Sequence, residues 1–303
     1  MARRISAATR QRVHEAATKL GYRPNLLARS LRTRKSNTVA LLVSDIANPF
    51  FGKIASLIEH ALHRHGYSLV LCNSAEDQDR EIEYLRLLPQ KGIDGLILAP
   101  LMKTKKTLEE QIPANLPITL LDRPIAGVPS SVTTDPDQLS NLLCETLGRV
   151  LVRKVALIHG PSHISTHKRR AEIVEQSFTI LHKFEGPAQP ETGRAAFLKL
   201  VGQHPDAIVC TNQLIAQGVL DAIQEADLNP PIIACFDEVP MMHLMPIPIV
   251  ASCQDIGALA ESCVTQLLPQ LGGDLTKNQN VLLTAKAITN RAFQKQAFPA
   301  KPM

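Results

Sequence analysis

Beyond residue 37 the apolar residues fall into short unbroken runs, each ended by a polar or turn-forming residue. The runs are VALLVSD (39–45), SLVLCNS (68–74), DGLILAP (94–100), PITLLD (117–122), KVALIHGP (154–161), DAIVCTN (206–212) and PIIACFD (231–237). Between them lie stretches with apolar positions three and four apart, which predict helices over about 51–65, 79–91, 137–152 and 255–271, with a last strand at 281–287. Continuous apolar strands alternating with amphipathic helices predict an α/β chain whose parallel sheets are covered on both faces. The first 37 residues differ. The spacing there predicts a helix over 6–20 with Ser6 as N-cap and Gly21 as its stop, then a second short helix from Asn25 to about Leu31. A helix that short is unstable alone and needs a partner surface.

Parallel sheets bind ligands at the carboxyl ends of their strands. The polar residues at those ends are Asp45, Asn48, Asn73, Asp122, Arg123, Arg169, Arg170, Asn212, Asp237 and Gln254, with Phe50 and Phe51 beside the first pair. Carboxylates, amides and guanidinium groups pair with sugar hydroxyls, and aromatic faces stack on sugar rings. Any one of these residues is as well explained as a loop cap. Their recurrence in both halves of the chain points to one polar ligand site. Asp77, Asp79, Glu81 and Glu83, at the start of the helix expected near 79–91, read most simply as a solvated face.

Charge sharpens the division at residue 37. Of the 303 residues, the first 37 hold ten lysines and arginines against Glu15 alone, a net +9, while the remainder carries 23 basic and 27 acidic residues, a net −4. A cationic, helically patterned arm on a slightly acidic body suits nucleic acid. Leu26, Leu27 and Leu31 among Arg29, Arg32, Arg34 and Lys35 fit either a linker resting on the next domain or a minor-groove helix with a leucine wedge. The six cysteines are scattered without a CxxC pair, as buried thiols in a reducing compartment. No apolar run is long enough to span a bilayer and no signal-type segment precedes residue 26, so a cytoplasmic protein without membrane association is expected.

Enzyme chemistry finds little support, with no GxSxG, P-loop or GxGxxG behind a strand. Ser162 and His163 are adjacent and so seldom face each other. His159, His163 and His167 are spaced four apart, but Gly160-Pro161 interrupts any helix that would align them on a metal. No enzyme activity, cofactor or metal is expected.

Three segments give the chain a resemblance to the lactose-repressor and galactose-repressor (LacI/GalR) family of transcription regulators. RISAATRQRVHEAATKLGYRPNLLARSLRTRKSNTVALLVSDIANPFF is similar to a third headpiece helix, a YxPN turn, a hinge helix and the first core strand. HGP followed by Arg170 resembles the segment that supplies an effector-binding arginine, and TNQLIAQGVLDAI followed by FDEVP resembles the ND-x-x-A-x-G helix start and FDD loop. The core also resembles periplasmic pentose-binding proteins.

The resemblance implies two Rossmann-like lobes behind a partial headpiece, with the headpiece and hinge at 1–37. It places one lobe at 38–152 plus 254–276, the other at 153–253 plus 277–296, and a tail at 297–303. It implies DNA contacts from Asn25, Ala28, Arg29, Leu31 and Arg32, with Leu31 as the wedge. It implies effector contacts from Asn48, Phe50, Phe51, Asp122, Arg123, Arg170, Asn212, Asp237 and Gln254, a sugar or sugar phosphate as effector, operator DNA as partner, and a homodimer. Lys168 and Arg169 are the extra cations a phosphate would want. Two departures stand out. The family's first two headpiece helices have no counterpart before Arg3, so a shortened chain with weakened or lost operator binding is expected. Gln213 stands where Asp usually follows Asn212.

Overall fold

The computed structural model describes residues 6–20, 35–226, 230–276 and 278–297. The expected α/β architecture is present as two six-stranded sheets. The first holds β1 (Thr38–Val43), β2 (Ser68–Asn73), β3 (Gly95–Leu98), β4 (Ile118–Leu121), β5 (Ser131–Thr134) and β11 (Asn280–Leu283), in the order β11-β5-β4-β3-β1-β2. The second holds β6 (Lys154–His159), β7 (Thr179–Glu185), β8 (Ala207–Cys210), β9 (Ile232–Phe236), β10 (Ile249–Gln254) and β12 (Ala285–Thr289), in the order β12-β10-β9-β8-β6-β7. The pairs are parallel except β10 with β12.

The apolar runs are unbroken because both faces of each sheet are covered. In β1, Val39, Leu41 and Val43 face a cluster with α2 (Pro49–Arg64) and α9 (Ile256–Leu271), while Ala40 and Leu42 face Leu85 and Leu88 of α3 (Gln78–Gln90). All five are fully buried. The short α4 (Lys105–Glu109) adds Leu108 to that second cluster. In the second lobe Ile158, Ile208 and Cys235 face α7 (Pro190–Leu200) and α8 (Gln213–Ala226). Leu157, Val209 and Phe236 face α5 (Pro136–Arg149) and α6 (Ser165–Ser177), with Phe293 of α10 (Arg291–Ala297) joining them. All six cysteines are buried free thiols.

The lobe boundaries differ from those expected. Helix α5 was assigned to the first lobe, yet Leu139, Leu143 and Leu147 pack with Val155, Phe236 and Val250 of the second. A helical stripe shows that a helix is covered but not which sheet covers it. The single strand expected at 281–287 is two strands: β11 pairs parallel with β5 in the first sheet, and after Thr284 the chain enters β12, antiparallel to β10 in the second. The chain therefore passes between lobes at three places, between β5 and α5, between β10 and α9, and at Thr284. The crossings are tied together. Asp135 N–H donates to Leu283 O (3.0 Å), and Ala285 N–H donates to Gln138 Oε1 (2.8 Å).

Glu81 is a second correction. Instead of joining a solvated face it is fully buried, its carboxylate accepting from the N–H groups of Leu101 (2.7 Å) and Met102 (3.1 Å) and so fixing the loop after β3. Before the core, α1 (Ala7–Lys19) begins where Ser6 Oγ accepts from Thr9 N–H (3.2 Å). Val13 and Leu20 are exposed on it. The DNA-contact residues Asn25, Ala28, Arg29, Leu31 and Arg32 lie outside the described residues. Among the described residues, no helix is long and apolar enough to cross a membrane.

Candidate functional site

The cleft between the lobes is built at the carboxyl ends of β1, β4, β8 and β9, where the apolar runs stop. Asn48 caps α2, its Oδ1 accepting from Phe50 N–H at 2.9 Å. That start swings Phe50 and Phe51 under the cleft as an edge-to-face pair, centroids 5.0 Å apart. The two lobes then repeat one device. Asp122 follows β4 with φ +66° and Asp237 follows β9 with φ +65°. Each hydrogen-bonds its N–H to the next strand, Asp122 to Val132 O and Asp237 to Ser252 O. Aspartate tolerates this left-handed conformation, which turns the chain sharply at the strand end.

The charges interlock around these turns. Asp122 pairs with Arg123 (3.6 Å) and accepts from Gln254 Nε2 (3.2 Å). Arg170 donates through Nη1 to Thr211 O (2.8 Å), approaches Asp237 (3.8 Å) and stacks 4.6 Å from the Phe236 centroid. Burial raises the Asp237 carboxyl above the usual carboxylate range against the opposing pull of Arg170. Asn212 starts α8, its Oδ1 accepting from Ile215 N–H (2.9 Å) and its Nδ2 donating to Ala188 O (3.2 Å).

All nine residues anticipated for the effector line one cavity of about 30 Å³, room for a water or two. Wider cavities of about 280 and 450 Å³ adjoin it, and Arg123 borders all three. Direct contact closes the lobes over the centre. Gln213, the departure beside Asn212, donates through Nε2 to Asn48 Oδ1 (2.9 Å) across the cleft. Among the described residues, Arg123 Nη1 and Gln213 Oε1 are buried there without a hydrogen-bond partner.

Of the other strand-end candidates, Asp45 also lines this cavity, while Asn73 and Arg169 fall away. Asn73 is a loop former, accepting from the N–H groups of Ile46 and Ala75. Arg169 forms a two-pronged pair with Asp137 (2.6 and 2.7 Å), and Lys168 pairs with Glu172 (3.8 Å) on the surface. Conversely, Glu76, Thr166 and His167 line the cavity without having been anticipated. The signal for His167 was its place three residues before Arg170, on the same helical face. Burial raises the Glu76 carboxyl, and burial, followed by the charge of Arg170, drives the His167 imidazolium well below its ordinary range.

Residues 36–233 match the family described as periplasmic binding proteins and the sugar binding domain of the LacI family. The chain belongs to this LacI family. A ribose operon repressor from Bacillus subtilis is 32% identical over 251 residues, covering 80% of this chain and 76% of the relative. Among solved structures, the lac repressor dimer bound to operator and an anti-inducer aligns with a TM-score of 0.81 at 21% identity, over 96% of this chain and 92% of that one. A Cra transcriptional regulator from Pseudomonas putida, in complex with fructose 1-phosphate, aligns at 0.76 and 21%, over 84% of this chain and 98% of that one. Both solved structures share the two-lobed fold of this LacI-family chain.

Proposed function

We propose that this LacI-family chain is a cytoplasmic, homodimeric, non-enzymatic transcriptional regulator whose cleft takes a sugar and whose basic arm takes operator DNA. One observation carries the reading: nine polar and aromatic residues from strand ends of both lobes converge on one cleft. The name of the ribose operon repressor, similar over most of the chain, supports the same assignment.

In this reading Asp122 and Asp237 accept from sugar hydroxyls, Arg123, Arg170 and Asn212 donate to them, and Phe50 and Phe51 floor the ring. The site favours an uncharged sugar over a phosphate ester. Lys168 and Arg169 are engaged by Glu172 and Asp137, and within the cleft two arginines already face Asp122 and Asp237. The central cavity holds only a water or two, so a sugar there also occupies the adjoining space bordered by Asp122, Arg123, Arg170 and Gln254, and its entry shifts the lobes at the three crossings by replacing the direct contacts of Gln213 and Gln254. That movement is what changes the placement of the arm on DNA, because a ligand shifts a two-state element only by its differential contacts with the two states.

Calorimetric titration with pentoses, hexoses and their phosphates tests the cleft. At least one sugar is expected to bind, with Asp237→Ala and Arg170→Ala each weakening it by roughly tenfold or more. Unchanged affinity in both variants would sink the site. Gel shift with and without that sugar separates a regulator from a sugar carrier; a shift that ignores both sequence and sugar and disappears with salt would leave only phosphate contact by the arm.

A further inference from the structure

We infer that His167 is an effector-binding residue, its Nε2–H a fixed donor to an oxygen of the ligand. The inference rests on the sugar-cleft reading and adds a residue to it. His167 lies in the first turn of α6, three residues before Arg170, and forms part of the cavity wall with its side chain almost wholly buried. Its Nδ1 is 2.9 Å from Thr211 Oγ1, and that same hydroxyl accepts from Gly160 N–H at 3.0 Å. Thr211 is fully buried. Its hydroxyl has one hydrogen to place, the Gly160 amide can only donate, and among the described residues the remaining hydrogen-bond neighbour is Nδ1. The hydroxyl therefore donates to Nδ1, and the ring carries its proton on Nε2.

Nε2 makes no hydrogen bond among the described residues, and the ring borders the same cavity as Arg123, whose Nη1 is also without a hydrogen-bond partner among them. Burial and the neighbouring charges of Arg170 and Arg123 keep the imidazole neutral, so it does not add a further positive charge to the site. Gly160 makes the placement possible: a Cβ there would come within 2.7 Å of three ring carbons. A donor with no accepting lone pair toward the ligand selects an oxygen and penalises an ammonium group at that point.

Long-range proton–nitrogen correlation spectra of the full chain read the tautomer directly, with His167→Leu assigning the resonance. A neutral Nε2–H ring is expected at neutral pH and also at the lower pH where an ordinary imidazole becomes protonated. A proton on Nδ1, or an imidazolium near neutral pH, would overturn the inference whatever the ligand. D-Ribose and D-fructose 1-phosphate are then titrated into wild type, His167→Leu and His167→Gln. The leucine variant is expected to bind the better of the two probes about three- to tenfold more weakly, and glutamine, which keeps a donor at similar reach, to restore most of the loss. Equal affinity in leucine and wild type overturns the inference. Should wild type bind neither probe, that result counts against the choice of effector class, and the tautomer still decides the donor assignment by itself.

Discussion

Asp237 sits where stability and its proposed role in binding conflict. Its carboxylate is buried beside Arg170 and Gln254, and burial outweighs the arginine in raising its titration above the usual range. A group with a raised folded value favours the protonated form on folding. Its contribution to stability is full below the unfolded carboxylate value of about 3.9 and is lost as pH rises through the folded value. At neutral pH the charged side chain is therefore a liability. Asp237→Asn is expected to raise the thermal midpoint by a few degrees near pH 7, about 1 kcal/mol, and to have no such effect below about pH 4. The same change is expected to weaken sugar binding, a stability-for-function exchange of the usual kind. A lower midpoint at pH 7 would show that Arg170 needs the charge more than burial penalises it. Asp122, Asn212 and Asp237 were readable because each ends an apolar run, which marks a strand end without any knowledge of the partner lobe. His167 and Glu76 were not readable in that way: one needs the helix to turn it inward, the other a loop whose path is set by neighbouring strands.

The helices of the second lobe meet through bare backbone. Gly218 of α8 lies so close to α7 that an added Cβ would be 1.7 Å from Pro190 O, and one on Gly193 of α7 would be 2.0 Å from Ile215 O. The glycine of the TNQLIAQG segment is thus explained by close helix packing, and that packing holds the start of α8, with Asn212 and Gln213, at the cleft. Gly218→Ala is expected to cost about 3 kcal/mol and to weaken sugar binding as well. Gly52→Ala in α2, where nothing lies within 4 Å, is the control and is expected to stabilise by roughly 0.5–1 kcal/mol. Chemical denaturation of the two variants measures both. Elements were legible in proportion to their burial. Strand β1, covered on both faces, reads as a strand from composition alone. Strand β5, SVTT, does not, because it is buried yet mostly polar; Ser131 Oγ donates to Asn280 Oδ1 (2.8 Å) in the neighbouring strand. The edge strand β7 alternates exposed and half-buried positions and lacks the apolar run. Which sheet receives β11 depends on pairing between residues some 150 positions apart, as Asn280 with Ser131 shows.

Across the whole molecule the cleft and residues 35–37 lie at opposite ends of the first lobe. The cleft is at the carboxyl ends of the strands, whereas the chain from the arm enters at their amino ends, where Asp94 accepts from Ser36 N–H (2.9 Å) and Asn37 N–H (2.7 Å). A second tie runs from Lys35 Nζ to Leu271 O (3.4 Å), the last residue of α9. Helix α9 begins one residue after the β10 crossing and has 16 residues, so it is a rod of about 24 Å from the hinge to the arm. In the proposed reading, rotation at the crossings moves the first lobe as one body, with α9 packed in its core and residues 35–37 tied to it. Two variants divide this path. Gln213→Leu removes the hydrogen bond to Asn48 across the cleft, and X-ray scattering is expected to show a larger radius of gyration in the absence of sugar. Asp94→Ala leaves the cleft untouched but cuts the joint at the arm. Its sugar affinity without DNA is expected to stay within about twofold of wild type, while the ratio of DNA affinities with and without sugar falls toward one. That ratio is the coupling free energy itself, and by linkage the effect of DNA on sugar affinity must shrink by the same factor. Amide hydrogen exchange of the peptide covering residues 25–37 gives the same answer without an operator: sugar alters it in wild type and leaves it unchanged in Asp94→Ala. If the variant keeps the full sugar response in both measurements, the signal does not pass through this joint. The Lys35 tie at the end of α9 is then the remaining physical route.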